Sequence, residues 1–181
     1  MAKVKKKTQN KKPKSSGTTK KTQSSSKRTA ANEKKEKFVK IGVVVSLFND
    51  EITAKLEEGA LDYLEGYENV IIELVRVPGA VEIPLTCQWL FDRSCDGVVA
   101  LGAVIRGETS HYDYVCMSVT QGITNVMLAN KKPIAFGVLT TENEEQALDR
   151  VGGRHGHKGQ EAAQVVMEMI GLGQDMLYQV H

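Results

Sequence analysis

Residues 97–105 read Gly97-Val98-Val99-Ala100-Leu101-Gly102-Ala103-Val104-Ile105, an apolar run with no polar residue breaking it. A strand with one wet face alternates apolar and polar residues, so an unbroken run marks a strand covered on both faces, the usual state in a parallel sheet. Similar runs lie on either side. Val39 to Val45 and Val70 to Val77 read as buried strands upstream, and Pro133 to Leu139 as a fourth downstream. Helix-period segments fill the intervals. From Asp50 to Gly66, Ile52, Leu56, Ala60 and Tyr63/Leu64 recur at helical spacing, with Asp50 in a capping position. Val81 to Phe91 is helical with Pro84 in its first turn, where proline is tolerated. A third helix runs from about Tyr114 to Ala129. Two more, Asn143 to Arg150 and Lys158 to Gly171, flank a Gly- and His-rich link. Strand and helix alternate four times, which predicts an α/β fold with a four-stranded parallel sheet and helices on both faces.

In open sheets of this kind ligands bind beyond the carboxyl ends of the strands, so the loops after Val45, Val77, Ile105 and Leu139 are the places to look. Phe48 in the first loop either stacks on a planar ligand or plugs the core beneath the loop. Glu82, after the rigid Pro78-Gly79 turn, either complements a helix dipole or accepts hydrogen bonds from a ligand. The third loop, Arg106-Gly107-Glu108-Thr109-Ser110-His111, gathers glycine, hydroxyls and a histidine before a helix start, a setting that suits an anion. His111 is either a structural residue at that start or a proton-transfer group active near neutrality. No G-x-x-x-x-G-K-[ST] or G-x-G-x-x-G pattern fits the chain, and His155 and His157 lack nearby cysteine or carboxylate ligands. The chemistry is expected to run on side chains, without cofactor or metal.

The formal net charge of the 181 residues, +2, conceals a split. Residues 1–37 hold thirteen lysines and Arg28 against Glu33 and Glu36, a net of +12, whereas 38–181 hold 10 basic and 20 acidic residues, a net of −10. Only Met1, Ala2, Val4, Ala30 and Ala31 are apolar in the first segment, too few to offset chain entropy. The reading is therefore a disordered Lys-rich cationic tail, 1–37, ahead of one domain, 38–181. The tail suits sequence-blind contact with a polyanion, or serves to keep an acidic particle solvated. No apolar run is long enough for a membrane span, and no secretory h-region precedes the domain. Cys87, Cys95 and Cys116 are odd in number and lack C-x-x-C spacing, so a reducing, cytoplasmic compartment is expected.

Several of these stretches together resemble the lumazine synthase family of riboflavin biosynthesis. They are Phe48-Asn49, Pro78-Gly79-Ala80-Val81-Glu82-Ile83-Pro84, Gly102 to Gly107 with Ser110-His111-Tyr112-Asp113-Tyr114, Pro133 to Asn143, and Lys158-Gly159, in order across residues 40–171. The tail falls outside the resemblance. What it implies is a flavodoxin-like three-layer α/β/α sandwich with strand order 2-1-3-4. The implied reaction condenses 5-amino-6-(D-ribitylamino)uracil with 3,4-dihydroxy-2-butanone 4-phosphate to 6,7-dimethyl-8-ribityllumazine, releasing phosphate and water, with no cofactor.

Carried over by position, the resemblance makes Phe48 the stacking partner of the pyrimidine. Ala80, Val81 and Glu82 would hold the ring and ribityl chain, and Ala103, Val104 and Ile105 would add backbone contacts. Glu108 and Thr109 would bind the phosphate, with Arg150 as counter-charge, and His111 would move protons. Phe136, Arg150 and Lys158 would reach into a neighbouring subunit's site, since the family assembles as homo-pentamers or as icosahedral shells of pentamers. The alternative is a catalytically inactive shell-forming scaffold whose cationic tails bind nucleic acid.

Overall fold

Along the third strand, Val99, Leu101 and Ala103 enter one hydrophobic core while Val98 and Ala100 enter another. Neighbouring side chains of a strand point to opposite faces, so both parities must be apolar when both faces are covered. A computed structural model describes residues 38–178 and shows this arrangement throughout. The tail expected at 1–37 lies outside the described residues, as do 179–181.

The sheet consists of β1 (Val39–Ser46), β2 (Val70–Val77), β3 (Gly97–Ile105) and β4 (Ile134–Thr141), all parallel in the order β2-β1-β3-β4. One face is covered by α1 (Asp50–Glu65) and α5 (Lys158–Tyr178), whose Ile52, Leu56, Ala60, Leu64, Ala163 and Val166 pack on Ile41, Val43 and Val45. The other is covered by α2 (Ile83–Asp92) and α3 (His111–Asn130), through Ile83, Cys87, Leu90, Val119 and Ile123 against Val44. This is the expected flavodoxin-like three-layer sandwich. Register shapes the rim. Ser46 pairs with Val77, and Val45 with Leu101, so β3 runs on past the end of β1 and Ala103 to Ile105 pair only with β4.

Several boundaries differ from expectation for physical reasons. The cap of α1 is Asn49, in the left-handed region at φ 61°, and Asp50 is the first helical residue. A 3₁₀ turn, Ala80–Glu82, precedes α2, with Pro84 in the first turn of the helix as expected. The third helix starts at His111 instead of Tyr114 because its polar first turn carries no apolar periodicity. The last helix continues through Gly171 and Gly173, which stand in open space and cost about 1 kcal/mol each against alanine. After β4, Asn143 caps the short α4 (Glu144–Leu148), its Oδ1 accepting from Gln146 N at 2.9 Å. The Gly- and His-rich link folds into an antiparallel hairpin of β5 (Val151–Gly153) and β6 (Gly156–His157). Gly152 and Gly156 sit there at φ 110° and 76°, where a side chain would be strained.

Candidate active site

The chain leaving β1 is held on both sides before it enters α1. Leu47 N donates to Val77 O at 2.8 Å and Phe48 N to Pro78 O at 3.2 Å, carrying the β1–β2 ladder past the strand ends. Asn49 then turns the chain, and its Nδ2 donates to Ala103 O at 2.9 Å. Held this way, Phe48 stands 70% exposed over the rim. It is not a core plug, which leaves its ring face free for a planar ligand.

Phe48 forms one wall of a cleft of about 370 Å³ at the carboxyl ends of the strands. The loop after β2 supplies another wall through Ala80, Val81 and Glu82. Thr86 Oγ1 donates to Glu82 O at 3.0 Å and ties down the backbone beneath the exposed carboxylate. A side chain at Gly79 would stand 3.1 Å from Glu82 Oε2, so the glycine leaves that carboxylate its room. Ala103, Val104 and Ile105, the part of β3 that overshoots β1, line the base. The fourth side comes from the loop into α3, through Gly107, Thr109, His111, Tyr112 and Val115. Thr109 Oγ1 accepts from His111 N at 3.3 Å, and Asp113 N and Tyr114 N donate to Ser110 O at 3.0 and 3.5 Å, folding this loop into the helix start.

Gly79, Gly107 and Tyr112, which the motifs contained without assigning them a role, also line the cleft, as does Val115, which they did not contain. The available signal was helical spacing. With α3 beginning at His111, Val115 falls one turn on along the same face. Burial, followed by the neighbouring Cys116, raises the Tyr112 pKa above its ordinary value, while a hydrogen bond with Thr140 opposes the shift.

Phe136, Arg150 and Lys158 line a different cavity, of about 350 Å³, between β4 and α5. Arg150 Nη1 donates to Gln146 O at 2.6 Å, and Lys158 Nζ lies 2.6 Å from Glu161 Oε2. The two cavities share no lining residue. Phe48, Ala80, Val81, Glu82, Ala103, Val104, Ile105, Thr109 and His111 thus meet in the first, Phe136, Arg150 and Lys158 in the second, and exposed Glu108 lines neither. Among the described residues no group of three or more His, Cys, Asp or Glu side chains is placed to hold a metal ion, and no helix is long and apolar enough to cross a membrane.

Comparison with known proteins gives the family. The family model described as 6,7-dimethyl-8-ribityllumazine synthase matches residues 38–174. A 6,7-dimethyl-8-ribityllumazine synthase of Bdellovibrio bacteriovorus is 68% identical over 138 residues, covering 76% of this chain and 77% of the relative. Enzymes of the same name from Desulfovibrio desulfuricans and Pediococcus pentosaceus are each 48% identical, over 143 and 139 residues. These alignments cover 77% and 75% of this chain, and 92% and 89% of the relatives. A family match across nearly the whole described domain, with relatives up to 68% identical, settles the relationship: the chain belongs to the 6,7-dimethyl-8-ribityllumazine synthase family, transferases of riboflavin biosynthesis.

Proposed function

We propose that the chain forms 6,7-dimethyl-8-ribityllumazine from 5-amino-6-(D-ribitylamino)uracil and 3,4-dihydroxy-2-butanone 4-phosphate. The observation that carries this reading is the convergence of Phe48, Glu82 and His111 on one cleft at the carboxyl ends of the strands. The pyrimidine stacks on Phe48, and Glu82 accepts hydrogen bonds from its N–H or ribityl hydroxyl groups. Ala80, Val81, Ala103, Val104 and Ile105 enclose the ring. The phosphate sits on the loop at Thr109, where helix-start N–H groups favour an anion. Glu108 contributes through its backbone alone, because its carboxylate would repel a phosphate.

His111 serves as the proton carrier while the amine and ketone condense to a Schiff base with loss of water, phosphate is eliminated, and the ribitylamino nitrogen closes the second ring with loss of a second water. Holding the two substrates together turns a bimolecular condensation into an effectively intramolecular one, which offers the larger share of the acceleration.

The separate cavity at Phe136, Arg150 and Lys158 supports a site completed by a second copy of the chain. In that assembly the Arg150 guanidinium neutralises the phosphate held on the neighbour's loop, and Phe136 and Lys158 close over the pyrimidine. A homo-pentamer, alone or in an icosahedral shell, satisfies this arrangement for every subunit. The short link 151–157 favours the shell, and mass measurement of the native particle decides between the two. The domain occupies 38–181 and acts in the cytoplasm, while the cationic segment 1–37 offers contact with polyanions.

The deciding experiment is product fluorescence from the two substrates, with His111→Ala beside the wild type. Product from the wild type alone supports both the reaction and the role of His111. Product from both keeps the reaction and removes His111 as proton carrier. No product from an assembled wild type returns the case to the scaffold reading.

A further inference from the structure

Residues 107–110 are exposed throughout, and Gly107 has open space around it, so this loop depends on how its two ends are held. Arg106 grips both. Its backbone N donates to Thr141 O at 2.9 Å, extending the β3–β4 ladder by one step. Its guanidinium folds over the first turn of α3, where Nη2 lies 3.2 Å from Asp113 Oδ1 and Nη1 donates to Asp113 Oδ2 at 3.4 Å. The same group stacks 4.0 Å from the centroid of the Tyr112 ring, and its Nε donates to Glu142 Oε2 at 2.7 Å. The residue that enters the loop therefore clasps the residues that leave it, and His111 sits inside the clasp. Glu142 is anchored in turn. Its backbone N donates to Gln146 Oε1 at 3.0 Å, and Gln146 O accepts from Arg150 Nη1 at 2.6 Å.

We infer that Arg106 is a positioning residue for the condensation: through Asp113, Tyr112 and Glu142 it fixes the loop 107–110 and the His111 backbone without touching either substrate. The inference rests on the reading of the cleft given above. Two carboxylates already occupy the guanidinium, so it is committed to protein partners and not to the substrate phosphate. Exposed ion pairs contribute little to global stability. Reacting groups displaced by about 1 Å, in contrast, lose rate by up to about a hundredfold. The cluster therefore matters through geometry.

The test uses the full-length protein as Arg106→Gln, Glu142→Gln, the double variant and Arg106→Lys, with two readouts. In hydrogen exchange, Arg106→Gln should speed exchange of residues 107–113 about tenfold or more while the strands keep wild-type protection. In steady-state kinetics, the KM for the phosphate substrate should rise about tenfold and that for the pyrimidine stay within about twofold. The double variant should be no worse than Arg106→Gln, because the pair acts as one unit. Lysine, which keeps the charge without the fork, should fall between.

Unchanged exchange in the loop overturns the inference. So does a loss of active protein with both KM values unchanged, the mark of a merely structural role. A wild type that makes no product sinks the reading of the cleft, and the exchange result then still decides whether Arg106 holds the loop.

Discussion

Asn49 Nδ2 donates a 2.9 Å hydrogen bond to the carbonyl of Ala103, a residue of β3 lying beyond the last register pair that β3 makes with β1. A neighbouring strand would normally offer a backbone N–H there. The chain has turned away at Asn49, whose φ of 61° makes the bend, and the amide side chain takes over the missing donor. One residue thus breaks the strand, starts α1 and aims Phe48 over the cleft.

Separating those tasks gives a direct test. Asn49→Gly keeps the left-handed backbone and loses the hydrogen bond, whereas Asn49→Ala loses both. Alanine should be the less stable of the two by about 1 kcal/mol in urea unfolding. Both should raise the KM for the pyrimidine, since the Phe48 loop loosens in either case. Equal stabilities would show that the left-handed turn is not the constraint.

Gly159 places the start of α5 against α1 with no room for a side chain. A Cβ there would stand 2.1 Å from the Leu56 carbonyl oxygen, a backbone atom that cannot swing aside. Gly159→Ala should therefore destabilise by about 1–3 kcal/mol, the range for overpacking a tight contact. Gly171 in the same helix has open space around it, so Gly171→Ala should gain up to about 1 kcal/mol from helix propensity. Urea midpoints for the pair check the contrast, and a harmless Gly159→Ala would refute the close approach.

Cys87 is fully buried in α2, and burial pushes its thiol from 9.0 up to about 12. Above pH 9 the unfolded chain releases that proton while the folded chain keeps it. The unfolded state then binds fewer protons, and stability falls as pH rises from 9 toward 12. The slope from this group is at most about 1.4 kcal/mol per pH unit. Tyr63, raised to about 12 chiefly by its hydrogen bond with Tyr67, acts in the same direction. Cys87→Ala should be less stable at neutral pH for its small cavity, yet lose less on going to alkaline pH. Parallel stability–pH curves for variant and wild type would remove Cys87 from the account.

The sheet was legible in the chain because burial on both faces leaves a run such as 97–105 without polar interruption. The ends of elements were harder to read. The polar turn His111–Asp113 hid the true start of α3, and with it the place of Val115 on the cleft. The β5–β6 hairpin has almost no pattern of its own. It depends on two left-handed glycines and on His157 packing where Gly59 leaves a gap in α1, relations that cross a long stretch of chain. The resemblance set Phe136, Arg150 and Lys158 apart from Phe48 as residues reaching a neighbouring subunit's site, and within one chain the three line a cavity along β4 that shares no residue with the Phe48 cleft.

That division makes the strongest prediction about assembly. If His111 of one subunit works with Arg150 of the next, His111→Ala and Arg150→Ala each disable every site in a pure assembly. Mixed after dissociation and reassembled together, they rebuild some sites. Such a site draws His111 from an Arg150→Ala chain and Arg150 from a His111→Ala neighbour. An equal mixture produces this combination at about one interface in four, so activity should recover to roughly a quarter of the wild-type value. Each variant dissociated and reassembled alone should stay inactive. No recovery in properly assembled mixtures would place Arg150 and His111 in the same chain's site, and the cavity along β4 would then need another explanation.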